Sequence, residues 1–179
     1  EFYRAARNVG GEVIQISPAS KNCINIMEIR KVDNSVNELL DGPTLDASAL
    51  AGKIQRLHIF FSLLIPDMSH EEKQLLDEAL IKTYARKGIT HKNESLTDPQ
   101  HPEQYKKMPI LEDVYNVLLE SEDTKRLAHI LNRLVHGSAS SFNQQTNVDL
   151  TNKYTVLDIS ELTGSSDLLT VGMFVALDY

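Results

Sequence analysis

From Asp46 to Ile65 the residues Leu50, Ile54, Leu57, Phe61 and Leu64 recur every three or four positions, the period of one helix face. Phe60, Leu63 and Ile65 widen this stripe toward its C-terminal end, which predicts a helix surrounded by protein. Pro66 stops it. Ser69-His70-Glu71-Glu72 then has the Ser-x-x-Glu form of a capping box, in which two side chains satisfy free amide hydrogens reciprocally. The helix it opens carries Leu75, Leu76, Ala79, Leu80 and Tyr84 on one face, and Gly88 closes it. Helical spacing returns in Leu111, Val114, Tyr115, Leu118 and Leu119. It returns again in Leu127, Ile130, Leu131, Leu134 and Val135 before Gly137.

The flanks read differently. Glu1 to Arg7 forms a short helical pattern ended by Gly10-Gly11, since glycine takes the left-handed backbone of a helix stop. Glu12-Val13-Ile14-Gln15-Ile16-Ser17 alternates and is β-branched, which predicts a strand ending at Pro18. Asn22 to Ile29 is either a short strand or an extended loop with apolar anchors. Residues 89–109, with three prolines and no period, read as an exposed excursion, because a loop near twenty residues is uncommon inside a compact domain. After a polar stretch from Ser138 to Asn152, Tyr154 to Ile159 is a strand, and a final helix starts near Ser165. The expected class is α+β, mainly helical, in the order strand, four helices, strand, helix. Its parts are 1–44, 45–137 and 138–179.

Composition bounds function. The 179 residues hold 18 Lys+Arg against 25 Asp+Glu, a net charge of −7, which argues against a surface built to neutralise DNA phosphates. Hydrophobic content of 41% and charged content of 24% suit a soluble globular protein of one ordinary core. No apolar run approaches the roughly 18 residues of a membrane helix. Cys23 alone excludes an internal disulfide framework and any multi-cysteine zinc site. The chain opens on a helix without a cap and closes on the nearly continuous apolar run Asp167 to Tyr179, and is therefore expected to be an excised piece of a longer protein.

Each chemical motif has a plainer reading beside it. Gly52-Lys53 fails as a phosphate loop, because Ala47 replaces the first glycine and Ile54 the magnesium-binding hydroxyl; Gly52 belongs to a packed helix. His70-Glu71-Glu72-Lys73-Gln74 lacks the second histidine of a zinc-protease helix. His129 and His136 lie two turns apart, too distant for joint chelation. Cys23 has no neighbouring His or Cys and reads as a buried small hydrophobe. Ser138, Ser140 and Ser141 lack the strand–turn–helix elbow that activates a serine. Lys82, Arg86, Lys87, His91 and Lys92 gather positive charge at a helix end, either as dipole partners or as a nucleic-acid contact. Val156-Leu157-Asp158 resembles a magnesium-holding strand end, but Ile159 stands where a catalytic Glu would follow. Composition and spacing thus give no self-sufficient active site.

Several phrases, in order, resemble the conjugative-transfer ATPases of type IV secretion, the class of the fourth VirB protein within the HerA–FtsK group of RecA-like motors. Glu1-Phe2 is similar to the tail of that family's Asp-Pro-x-x-Glu-Tyr motif, and Gly10-Gly11 to its glycine pair. Asn22-Cys23-Ile24-Asn25-Ile26-Met27-Glu28-Ile29 is similar to its Asn-x-Ile-Asn-Pro turn. Gly137, Phe142 to Asn147 and Val156-Leu157-Asp158-Ile159-Ser160-Glu161-Leu162 resemble its later phrases, and Leu75 to Leu80 with Tyr84 its helical region.

The resemblance implies an internal segment between the two nucleotide motifs of a P-loop NTPase. The helices of 45–137 would form a helical subdomain, flanked by a few strands of an incomplete RecA-like α/β core. The phosphate loop would precede Glu1 and the magnesium-binding strand would follow Tyr179. ATP and Mg2+ would then serve the parent chain, and the segment alone would hold no nucleotide or metal and turn nothing over. Glu1 is the one residue of the segment given a catalytic role, orienting water in the intact site. Implied partners are neighbouring ATPase subunits and secretion-channel or coupling proteins, at the cytoplasmic, inner face of the membrane, with weak or no DNA binding. The alternative is a non-catalytic helical protein-interaction module, for which the apolar face around Phe60 and Phe61 would be partner surface.

Overall fold

The computed structural model describes residues 2–18, 20–31, 48–149 and 154–178. In chain order these contain α1 (Phe2–Asn8), β1 (Glu12–Gln15), α2 (Ala49–Leu64), α3 (His70–Ala85), α4 (Leu111–Leu118), α5 (Lys125–Val135), β2 (Thr155–Asp158) and α6 (Ser166–Leu177). The expected succession of strand, four helices, strand and helix is met. Asn22 to Ile29 is a loop with apolar anchors and no ladder, turned where the Glu28 amide donates to the Asn25 carbonyl.

Each helix starts and stops for a local reason. Ser48 accepts the Ala51 amide at the head of α2. At α3 the capping box forms in full: Ser69 Oγ accepts the Glu72 amide at 3.0 Å and the Glu72 carboxylate accepts the Ser69 amide at 2.9 Å. Asp113 does the second half of this job for α4, accepting the Ile110 amide at 2.8 Å. Gly88, at φ 72°, turns the chain out of α3.

Helices α2, α3, α4 and α5 pack on one another in sequence order, and α6 returns to lie on α2. Leu57, Phe60, Phe61, Leu76, Leu80, Leu111, Leu118, Leu127 and Leu131 are closed to water between them. Phe60 and Phe61 are therefore core, not partner surface: both are closed to water, and the Phe174 ring of α6 lies tilted at 5.2 Å from the Phe60 ring. Gly52 lies within α2, as the sequence predicts, on the outward side of that packed helix, where a Cβ would meet nothing within 4 Å. The excursion 89–109 is exposed along most of its length but is pinned by the buried Ile89, Leu96 and Met108, with a bridge from Thr97 to Tyr105.

Strands β1 and β2 are parallel, with Glu12 opposite Thr155 and Gln15 opposite Asp158. A parallel pair needs a crossover connection, and here the whole helical region lies within it. Gly10 and Gly11 set the entry to β1. Gly10 has φ 74°, and a Cβ on Gly11 would lie 2.5 Å from the Tyr154 carbonyl oxygen, so only glycine lets the chain pass.

Candidate functional site

The residues with catalytic or metal-binding potential in the sequence do not converge. Glu1 lies outside the described residues. Among those described, no group of three His, Cys, Asp or Glu side chains is arranged to hold a metal ion. Cys23 is buried, and that burial pushes its thiol above the ordinary value, the state of an inert hydrophobe. His129 is exposed on α5, and His136 stands at the end of that helix beside Asn132 and Glu112. Ser138 and Ser140 are exposed, and the Ser141 hydroxyl donates to the Ser17 carbonyl. The Asp158 carboxylate accepts the Ser160 amide, a local turn at the end of β2.

The basic residues at the end of α3 face acids rather than open solvent alone. Lys82 and Arg86 both reach Glu120, at 2.7 and 2.5 Å, and hold its carboxyl below the usual glutamate range. Lys87 lies 3.1 Å from Asp113, and the His91 ring meets Ser48 Oγ at the head of α2. This cluster fastens α3 to α4 and its neighbours.

The loop of residues 22–29 and that of residues 143–147, by contrast, meet each other. Asn25 is 1% exposed, and its side chain donates to the Pro109 carbonyl at 2.8 Å while accepting the Met27 amide at 3.1 Å. Its own amide donates to Thr146 Oγ1, whose hydroxyl donates to Glu28. Asn147 accepts the Cys23 amide at 2.7 Å and donates to the Lys21 carbonyl, and its backbone amide donates to the Cys23 carbonyl. Gln145 caps the Met108 carbonyl at 2.7 Å. From below, the Tyr84 hydroxyl donates to the Met27 carbonyl at 2.5 Å, and burial raises that phenol above its ordinary value. Two loops more than a hundred residues apart are thus clasped by side-chain amides on backbone groups. Such an arrangement specifies one register and penalises any shift, because every buried partner lost stays unpaired.

A second polar feature crosses the α2–α6 contact. Lys53, 5% exposed, places its ammonium 2.5 Å from Asp178 Oδ2, and Arg56 reaches Oδ1 at 3.2 Å. Burial lowers the Lys53 ammonium from its ordinary value, and the Asp178 charge opposes that shift. Beside this group the two helices leave an apolar groove of about 420 Å³, lined by Ile59, Leu63, Met173 and Phe174 with Arg56 and Asp178 at its polar end. In the sequence Lys53 stands only as a failed phosphate-loop lysine. The signal was present: Lys53 falls between Leu50 and Leu57 on the buried stripe, where an ammonium requires a partner. The partner itself, 125 residues away, had no sequence mark.

No protein-family model matches the chain, and no curated protein sequence does. Among solved structures, VirB4 of Thermoanaerobacter pseudethanolicus is similar, with a TM-score of 0.77 and 26% identity over 99% of this chain and 63% of that one. The chain therefore spans less than two thirds of that VirB4 chain. The similarity runs through strands, helical region and return strand alike, and the chain is VirB4-like throughout.

Proposed function

We propose that the chain is an internal segment of a type IV secretion ATPase that energises transfer of DNA or protein and assembly of a pilus or channel. The observation that carries this is the VirB4 likeness across 99% of the chain. The parallel pair β1–β2, with four helices in its crossover, supports a helical subdomain (45–137) set into a RecA-like core to which 1–44 and 138–179 belong. In this reading the phosphate loop precedes Glu1 and the magnesium-binding strand follows Tyr179. Stabilising charge on a transferring phosphoryl group needs backbone amides, a lysine and magnesium together, and Gly52-Lys53 does not supply them. Residues 1–179 alone then hydrolyse no ATP, while Glu1 orients the attacking water in the intact site.

The helical subdomain would pass nucleotide state to neighbouring subunits and to channel or coupling proteins through packed elements with two arrangements. The parent acts at the cytoplasmic face of the membrane, as a peripheral component. No helix among the described residues is long and apolar enough to cross a membrane. Pairing of Lys82, Arg86 and Lys87 with acids supports weak or no DNA binding by this cluster.

The test is magnesium-dependent ATPase activity of a chain extended at both ends, compared with residues 1–179. Activity only in the extended chain is expected, with Glu1→Gln lowering kcat while KM holds. An inert extended chain without Gly-x-x-x-x-Gly-Lys-Ser/Thr overturns the reading. Tight magnesium-dependent capture of ATP by residues 1–179 does so too.

A further inference from the structure

Among the described residues the large hydrophobics left exposed are Val9, Ile59, Leu63, Tyr154 and Met173. Three of these five converge on the groove between α2 and α6, where Ile59 is 58% exposed, Leu63 53% and Met173 50%. The helices run antiparallel there. Lys53 and Arg56 meet Asp178 at one end, Phe60 meets Phe174 midway, and Leu63 and Thr170 belong to the other end. From Arg56 to Leu63 is seven residues, about 10 Å along the axis, or two helical turns.

The charge in this groove is unbalanced. Among the described residues Asp178 is the single carboxylate lining it, and its oxygens face Lys53 and Arg56. Two cations share one anion, and the surplus charge sits on Arg56, whose side chain is 60% exposed while that of Lys53 is 4% exposed. A guanidinium has five N–H donors, so Arg56 retains capacity for a second carboxylate. In a chain of net charge −7, this lip is positive at one end and apolar for the following two turns.

A second copy of the chain does not complement this pattern. A two-fold axis across the groove lays Arg56 over the apolar Leu63 end of the other copy, stripping water from a guanidinium without supplying a carboxylate. An amphipathic helix does complement it. Its apolar residues at i, i+3 or i+4 and i+7 match a two-turn groove, and a carboxylate one turn away meets Arg56. Met173 adds an unbranched, polarisable side chain that adapts to the incoming shape.

We propose that the α2–α6 groove docks an amphipathic helix of a partner protein, apolar over two turns and carrying a carboxylate at the end that faces Arg56. The proposal stands on the groove and not on the ATPase reading, and its test contains no nucleotide, so the two fail separately. The probe is a fluorescein-labelled helical peptide of roughly fourteen residues, with Leu at i, i+4 and i+7 of its groove face and Glu at the Arg56 end. Its twin carries Lys in place of that Glu.

Fluorescence anisotropy with the chain is expected to give saturable binding, about tenfold tighter for the Glu peptide. Leu63→Glu and, separately, Ile59→Glu should each abolish it. Both positions are more than half exposed, so unchanged thermal melting certifies the variants as folded. Arg56→Glu should reverse the preference between the twins. Absence of saturable binding, equal affinity for the two peptides, or a preference untouched by Arg56→Glu overturns the proposal. Sedimentation showing a dimer that Leu63→Glu dissolves also overturns it and gives the groove to a second copy.

Discussion

Helices α2 to α5 close Leu57, Phe60, Leu76, Leu111, Leu118, Leu127 and Leu131 to water, and few polar groups are caught among them. The seam between residues 22–29 and 143–147 is built the other way. Ile24, Ile26 and Met27 are buried there as well, but the alignment of the two loops comes from Asn25, Thr146 and Asn147 acting on backbone amides and carbonyls. Apolar burial is non-directional and scales with area, so it decides that a segment is inside. Hydrogen bonds with fixed partners decide which residue meets which. The helical region therefore tolerates small adjustments, while the clasp is all or nothing.

Mutations should separate the two modes by size. Phe60→Ala removes a fully buried ring that contacts Phe61 and Phe174, and is expected to lower stability by about 4 kcal/mol in urea denaturation. Asp178→Asn strands the buried Lys53 ammonium, with an expected loss of about 3 kcal/mol. Combining Lys53→Met with Asp178→Leu should recover most of that loss, since the cost comes from the orphaned charge and not from the absence of the pair. A double variant as unstable as Asp178→Asn would mean that α6 is held on α2 by charge rather than by packing.

Asn25→Ala leaves the Met27 amide and the Pro109 carbonyl without their partner, at an expected cost of about 2 kcal/mol. Its signature is local. Hydrogen exchange should accelerate at Met27, Cys23 and Asn147 while the amides of α3 and α5 stay protected. Uniform acceleration across the helices would break the comparison, because the clasp would then belong to the same cooperative unit as the helical core.

The helical half was legible because its information is local. The stripe Leu50–Leu64, the Ser69 box and the Gly88 stop each sit within a few residues of the structure they specify, and all three are present. The strands were legible too, Glu12–Gln15 inside the alternating run Glu12 to Ser17 and Thr155–Asp158 inside Tyr154 to Ile159, although nothing in either run announces the other as its parallel neighbour. The groove and the clasp were not legible, because their meaning depends on residues far apart in sequence. Leu63 reads as part of a buried stripe until α6 is seen to cover Phe60 and leave Leu63 open. Asn25 reads as a loop residue until Thr146 and Pro109 come beside it. Periodicity reports a face, and only the tertiary arrangement reports what that face meets.

The smallest expected effect tests how much of the helical half depends on charge. The Ser69 amide and the Arg126 guanidinium, which lies 2.8 Å away, hold the Glu72 carboxyl below its ordinary 4.5. Glutamine keeps the acceptor that closes the capping box, so Glu72→Gln removes the charge and little else. The expected loss at neutral pH is about 0.5 kcal/mol, the size of a partly exposed ion pair at a helix N-terminus. Because the folded chain releases this proton more readily than the unfolded one, the contribution is complete above pH 4.5 and fades as pH falls through the lower folded value. Urea titrations of the two proteins should therefore differ at pH 7 and converge once the pH has fallen below the folded value. A gap that persists at acid pH would assign Glu72 to packing rather than charge, and would place the start of α3 with the non-directional core instead of with the clasp.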